Sequence, residues 1–159
     1  MAADHPESTD PKDWHRFFAI ENNNLAWMLA SKAERSADES QKMLEAAHAS
    51  ALHWREAGTE LNLMRARMLL AEVYALVGFC SNAFAESQQV RSYFLDRETD
   101  DWELAFTHVI HAHAAAVAGL VDEHRESYIA AQQAIDSIAD DEDRRIVLET
   151  FNQVPAPNR

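Results

Sequence analysis

Apolar residues recur along the chain at spacings of three and four, with polar residues between them. Phe106, Val109 and Ile110 show the pattern, since a turn of about 100° per residue places them on one side of a helix. The pattern predicts an all-α protein with about seven helices, at residues 11 to 33, 37 to 57, 60 to 77, 81 to 97, 101 to 118, 122 to 138 and 141 to 153.

Proline and glycine mark the ends of these segments and are missing from their interiors. The strongest helix breaker does not occur between residues 12 and 154, because the four prolines are Pro6, Pro11, Pro155 and Pro157. A left-handed helix terminus favours glycine just after a helix, which is the position of Gly58, Gly78 and Gly119. Both residue types therefore support the predicted boundaries.

Three positions in the sequence also have residues that are typical of helix N-caps. They are Asp10 before Pro11, Ser36 with Glu39, and Asp100 with Glu103, the last two having the spacing of a capping box. Outside the helices, residues 1 to 10 and 154 to 159 are polar and rich in proline. We expect these two segments to be a disordered N-terminal tail and a loose C-terminal tail around one domain, residues 11 to 153.

A repeat appears when residues 70 to 90, LAEVYALVGFCSNAFAESQQV, are aligned with residues 111 to 131, HAHAAAVAGLVDEHRESYIAA. Ala71 falls on Ala112 and Gly78 falls on Gly119. A predicted helix precedes and follows the glycine in both copies. A weaker first copy begins near Leu25. The chain is thus a candidate for an architecture of stacked repeats.

These residues resemble tetratricopeptide-like helical hairpins, in the variety whose repeat is about 40 residues long. The resemblance implies antiparallel hairpins stacked in a right-handed superhelix, here residues 11 to 57, 60 to 97 and 101 to 138, with a capping helix at 141 to 153. The sequence departs from the family pattern at Arg67 and Ser87, where the family prefers aromatic residues.

The resemblance also implies a concave groove, lined by the first helix of each hairpin, that binds a peptide or helix of another protein. We expect an apolar groove formed by Asn23, Asn24, Trp27, Arg65, Met68, Leu69, Glu72, Leu76, Phe106, Val109, Ile110, His113 and Val117. His113 beside Glu72 suggests that their charges couple near neutral pH. The predicted function is a non-enzymatic interaction module, an adaptor, scaffold or chaperone-like protein.

Two other interpretations of the same residues stay open. A stripe of methionine and aromatic side chains at helical spacing is often closed core, or the interface of a homodimeric structural subunit. The alternative of a helical-bundle metalloprotein depends on His48, His108 and His111, with Glu45 three residues before His48.

The stretch HVIHAHAAAVAG, residues 108 to 119, places three histidines within six residues. His108 and His111 lie about 60° apart around a helix, whereas His113 points elsewhere, so all three cannot bind one ion. The bundle pattern also needs further inward carboxylates. We therefore expect packed or surface histidines, no metal, no cofactor and no catalytic residue.

The charge and the cysteine content limit the classes of partner and the cellular compartment that we expect. The chain has 14 Lys and Arg against 27 Asp and Glu, a formal charge of −13, which disfavours nucleic acid and anionic membrane surfaces as partners. No apolar run approaches the length of a membrane span. Cys80 is the only cysteine, so a reducing, cytoplasmic location is predicted.

Overall fold

The computed structural model describes residues 5 to 158 and contains seven helices in this range. They are α1 (Pro11–Ala30), α2 (Ala37–Ala57), α3 (Glu60–Val77), α4 (Cys80–Leu95), α5 (Asp101–Val117), α6 (Val121–Asp136) and α7 (Asp141–Phe151). No strand occurs among the described residues, so the prediction of an all-α protein is confirmed. The helix boundaries lie within three residues of those predicted.

Helices that follow one another in the chain pack against one another, which gives stacked helical hairpins. α1 packs on α2, α3 on α4, and α5 on α6. The first helices of the hairpins also contact each other, so that α1, α3, α5 and α7 form one continuous row. Within residues 5 to 158, α2, α4 and α6 do not contact one another and form the outer side.

α5 is the central helix of this arrangement, because it contacts α3, α4, α6 and α7. Its small residues Ala105, Ala112, Ala114 and Ala115 are completely buried. Small side chains let neighbouring helices approach closely, which is the role expected of alanine at helix crossings. Two clusters of buried apolar side chains surround the row, one around Met43 and Leu69 and the other around Phe94 and Ile110.

Two of the three predicted helix starts form as expected. The side chain of Asp10 accepts a hydrogen bond from the Lys12 amide at 2.9 Å, and Ser36 and Glu39 form a reciprocal capping box. Asp100 makes no side-chain cap, and the capping box predicted there is wrong. Glu103 instead accepts a hydrogen bond from Arg65 on α3, because a charged donor across the helix interface binds a buried carboxylate more strongly than a backbone amide.

The glycines serve two different purposes. Gly78 and Gly119 have φ angles of 81° and 72°, the left-handed helix termini that were predicted. Gly58 has φ −97° and ψ 177°, so the left-handed conformation predicted for it is wrong. A Cβ atom at Gly58 would lie 2.7 Å from the carbonyl oxygen of Trp54. Gly58 is therefore suited to its position by its small size.

Both terminal segments, for which we expected loose tails, make contacts with the helices where the structure describes them. The Trp14 indole donates a hydrogen bond to the Ser8 carbonyl at 3.0 Å, and His5 lies edge-on to the Trp14 ring. At the other end, Val154 is buried, and His124 Nε2 donates to the Pro155 carbonyl at 2.8 Å. The remaining parts of these two predictions, residues 1 to 4 and 159, lie outside the described range.

A candidate binding pocket between α1, α3, α5 and α7

The row of inner helices encloses a cavity of about 470 Å³, within the usual size range of ligand pockets. It opens between the C-terminal end of α1 and helix α7, with α3 and α5 forming its inner wall. Its lining consists of Asn23, Trp27, Met28, Ala30, Ser31, Arg65, Met68, Glu72, Trp102, Phe106, Ile146, Glu149, Thr150 and Gln153. We refer to this cavity as the inner pocket.

Aromatic rings from two helices form much of the wall of the inner pocket. The centroid of the Trp27 ring lies 5.6 Å from that of Phe106, and Trp102 is perpendicular to Phe106 at 6.2 Å. The guanidinium carbon of Arg65 lies 5.2 Å from the centroid of the Trp102 ring, within cation–π range. Arg65 Nε also donates to Glu103 at 2.6 Å. The wall thus combines aromatic faces with a cation that is already neutralised.

A buried ion pair lies at the deep end of the inner pocket. Glu72 on α3 lines the cavity and is only 1 % exposed. Nδ1 of His113 on α5 lies 3.0 Å from each carboxylate oxygen of Glu72. Since a carboxylate donates no hydrogen bond when ionised, Nδ1–H of His113 is the donor.

The electrostatics of this pair favour a charged histidine. Burial by itself lowers the pKa of His113, and Arg35 lowers it further. The negative charge of Glu72 and its hydrogen bond oppose these effects and raise the pKa above its ordinary value. Glu72 therefore favours the charged form of His113, in line with the coupling that the sequence suggested for the two side chains.

Two large apolar side chains stand at the mouth of the inner pocket. Met28 on α1 is 56 % exposed and Ile146 on α7 is 41 % exposed, although both contact the cavity. The rim between them is polar, with Ser31, Glu149 and Gln153. Exposed apolar groups next to an apolar cavity are typical of surfaces that a ligand or partner covers.

The C-terminal segment closes one side of what would otherwise be an open groove. Gln153 Nε2 donates to the Ala30 carbonyl at 3.0 Å, and Arg35 donates to the same oxygen at 2.9 Å. Carbonyl groups at a helix end lack intrahelical partners, and these two donors satisfy one of them. The end of the chain is thereby held against α1, and the groove becomes a pocket.

Of the predicted groove residues, six line the inner pocket: Asn23, Trp27, Arg65, Met68, Glu72 and Phe106. Leu69, Val109 and Ile110 are buried in the core, because α5 and α3 have neighbours on almost every side. Leu76 and Val117 pack against the first core cluster. Asn24 is exposed outside the lining, and His113 lies behind Glu72. The structure thus brings six of the predicted residues together in one pocket wall and places the others in the core or outside the lining.

Other lining residues were missed because the sequence places α7 at the end of the stack, with no reason to approach α1. Met28, Trp102, Ile146, Thr150 and Gln153 belong to this group. The position of Ile146, directly after the five charged residues that begin the helix DEDRRIVLETF, was one available signal. A large apolar side chain among acids and arginines indicates a face that is covered or close to a cavity.

The remaining histidines of α5 contact other helices and do not reach the inner pocket. Arg91 donates to His111 Nε2 at 3.3 Å, so the proton of the neutral ring resides on Nδ1, 3.0 Å from the Ser87 hydroxyl. Burial, Arg91 and His108 lower the pKa of His111 to about 4. Burial and Arg91 also lower the pKa of His108. Both rings are therefore uncharged at neutral pH.

The histidines of the metalloprotein alternative do not converge. His48 Nε2 is hydrogen-bonded to the Tyr74 hydroxyl at 3.1 Å, on the far side of α3 from the inner pocket. Between residues 5 and 158, no group of three or more His, Cys, Asp or Glu side chains is placed to hold a metal ion.

A second cavity, of about 420 Å³, lies between α2, α3 and α4 and is more polar. His48, Arg55, Tyr74 and the ion pair between Arg67 and Glu86, with its 2.6 Å hydrogen bond, line it. Most of these groups are engaged with each other. The inner pocket, with its apolar wall and exposed apolar mouth, is the stronger candidate for a binding site.

Comparison with protein-family models, with curated proteins and with solved structures finds no match to the chain. Among the described residues, none of the helices combines the length and apolar character needed to cross a lipid bilayer.

Proposed function

We propose that this protein is a tetratricopeptide-like interaction module that binds a segment of another protein in the inner pocket. The observation that carries the proposal is the apolar cavity of about 470 Å³ whose mouth lies between exposed Met28 and Ile146. Methionine and aromatic side chains adapt to apolar side chains of different shapes, which suits the recognition of a peptide or helix.

The polar groups of the pocket favour recognition over catalysis. Arg65 is paired with Glu103, and Glu72 with His113. Glu149, at the mouth, is bound to Arg145 at 2.6 Å. Charged groups already engaged in ion pairs orient and select a ligand, whereas a reaction needs a group free to exchange a proton or attack. We therefore propose a binding protein without enzymatic activity, acting as adaptor, scaffold or chaperone.

The repeat architecture supports the family part of the proposal. Glu72 and His113 are separated by 41 residues, the period at which Ala71 aligns with Ala112, and the two alanines are both fully buried. The pocket lies on the row formed by the first helix of each hairpin, where proteins of this architecture bind their partners. The acidic chain and its single cysteine favour a protein partner in the cytoplasm.

The test uses Met28→Asp, with Ile129→Asp on α6 as the matched control. Met28 is suitable because it is exposed at the mouth, whereas Phe106 is 6 % exposed and its replacement by Asp would disrupt the core. Ile129 is 48 % exposed and does not line the pocket. Peptides are selected from a displayed random library on the wild-type protein, and their dissociation constants are measured on all three proteins.

We expect the selected peptides to bind Met28→Asp at least about ten-fold more weakly, since an uncompensated carboxylate at the mouth opposes apolar contact, and Ile129→Asp with unchanged affinity. Equal affinity for the three proteins, or no selected peptide, would contradict the proposal. A wild-type dimer that Met28→Asp converts to monomer, measured by sedimentation on dilution, would reassign this surface to self-association. Circular dichroism verifies that the variants are folded.

A further inference from the structure

The carboxylate of Glu72 has hydrogen-bonding capacity that the protein does not use. Among the described residues, His113 Nδ1 is its one hydrogen-bond donor, and it is shared between the two oxygens. An ionised carboxylate accepts about four hydrogen bonds. The side chain is 1 % exposed, so bulk water does not readily supply the others. A ligand group with several N–H donors would complete this site.

The wall that leads to Glu72 is suited to a cation with an apolar stem. Trp27, Phe106 and Trp102 provide aromatic faces, and Met68 adds an apolar surface. Arg65 over Trp102 demonstrates that a guanidinium is accommodated against this wall. The formal charge of −13 on the whole chain attracts cations and repels anions.

We propose that the partner inserts a basic side chain, a lysine or arginine, into the inner pocket. Its charged head would bind the free lone pairs of Glu72, and its methylene stem would lie against Trp27, Met68 and Phe106. This inference rests on the proposed function, because it names the group that the partner presents. Long basic side chains commonly combine such an apolar stem with a charged end.

The proton on His113 competes with this ligand. When His113 is charged, the charge of Glu72 is already balanced, and a second cation gains less by approaching it. Loss of that proton leaves the carboxylate uncompensated, so the affinity for a cation increases with pH. The charged groups that face the His113 ring are Glu72 from α3 and Arg35 from the segment between α1 and α2. Arg35 opposes positive charge at this site, whether that charge is on His113 or on the ligand.

The experiment uses n-pentylamine, which represents the lysine side chain, and 1-pentanol, its neutral analogue of similar shape. Binding is followed by NMR through the indole N–H resonances of the four tryptophans. Trp27 and Trp102 line the pocket, and Trp14 and Trp54 do not, so the latter two are internal controls. We expect pentylamine to shift Trp27 and Trp102 and to bind about ten-fold more tightly than pentanol, through its charge-assisted hydrogen bonds.

Two variants separate the contribution of Glu72 from that of general acidity. In Glu72→Gln the affinity for pentylamine should fall to that for pentanol, whereas Glu126→Gln, at an exposed position of α6 outside the pocket lining, should leave both affinities unchanged. His113→Asn should increase the affinity for pentylamine near pH 6 to the value that the wild type reaches near pH 8. The comparison of amine and alcohol in the wild type needs no variant and is valid even if Glu72→Gln fails to fold.

Equal affinities of the wild type for pentylamine and pentanol would overturn this inference. If display-selected peptides still lose affinity in Met28→Asp, the proposed function stands with an apolar group in the pocket. Selected peptides that bind at the pocket without a lysine or arginine requirement would overturn the inference in the same way. Failure of the peptides and of both probes would reject the binding function and the inference together.

Discussion

The carboxylate of Glu72 on α3 and the imidazole of His113 on α5 form a buried ion pair between two equivalent positions of neighbouring hairpins. The two residues are 5 % exposed or less, and Glu72 is also part of the wall of the inner pocket. The pair thus links two stacked hairpins and places a carboxylate where a ligand can reach it. Its effects on stability and on binding can be measured separately.

The wild-type protein should lose stability as the pH increases beyond neutrality. The folded state raises the pKa of His113 above 6.5, so it holds a proton that the unfolded chain has already lost. The contribution of the pair is complete below about pH 6.5 and disappears as the pH rises through the pKa of His113 in the folded protein. Urea unfolding at pH 6 and pH 8.5 measures the change.

In Glu72→Gln this dependence on pH should be lost, and at pH 6 the free energy of unfolding should fall by on the order of 3 kcal/mol, because one partner of a buried ion pair is removed. Glu149→Gln is the control, since Glu149 is paired with Arg145 at the surface. Retention of the same pH slope in Glu72→Gln would show that another group causes it.

His111 should make the protein less stable at acidic pH, which is opposite to the effect of His113. The folded state lowers the pKa of His111 from 6.5 to about 4. Between these two pH values the unfolded chain binds a proton at this residue that the folded protein does not bind. Stability is therefore lost as the pH falls from 6.5 towards 4, by on the order of 2 kcal/mol. His111→Gln should reduce the dependence of the unfolding free energy on pH in this range. Unfolding of the variant at pH 8, where His111 of the wild type is uncharged in both states, measures the effect of packing alone. An unchanged slope would contradict the assignment.

Gly78→Ala and Gly58→Ala should both destabilise the protein, for different reasons. Gly78 has φ 81°, which costs any other L-residue about 1–2 kcal/mol, and Asn tolerates this region better than Ala. Gly58 has an extended backbone, but a Cβ there meets the Trp54 carbonyl. Gly78→Asn should therefore recover part of the loss, and Gly58→Asn should not. Thermal unfolding of the four variants tests this, and equal recovery at the two sites would refute it.

Ser36→Ala and Asp100→Ala should differ although both residues precede a helix. Ser36 belongs to a complete capping box, so its removal should cost about 1 kcal/mol. Asp100 makes no cap, and its removal should change the free energy of unfolding by less than about 0.5 kcal/mol. Chemical denaturation of the two variants gives both values. A larger loss for Asp100→Ala would mean that it caps α5 in solution.

The inner pocket could be predicted only in part. Trp27, Met68 and Phe106 lie on the apolar faces of their helices, and the period of the sequence placed them on the same side of the stack. Val109 lies one turn from Phe106 on the same face, yet it is completely buried. Which of two neighbouring apolar residues faces a cavity depends on where the next helix crosses. No local sequence pattern specifies the position of that crossing.

The sequence by itself determined the helices, their order and the hairpin repeat, because hydrophobic period, caps, proline and glycine act over a few residues. It also indicated the association of Glu72 with His113, through the repeat. The tertiary structure alone decided that the segment after α7 reaches the C-terminal end of α1 through Gln153 and Ala30, which makes a groove into a pocket. That contact joins residues 123 positions apart, whereas hydrophobic period and helix caps act over only a few residues and do not specify it.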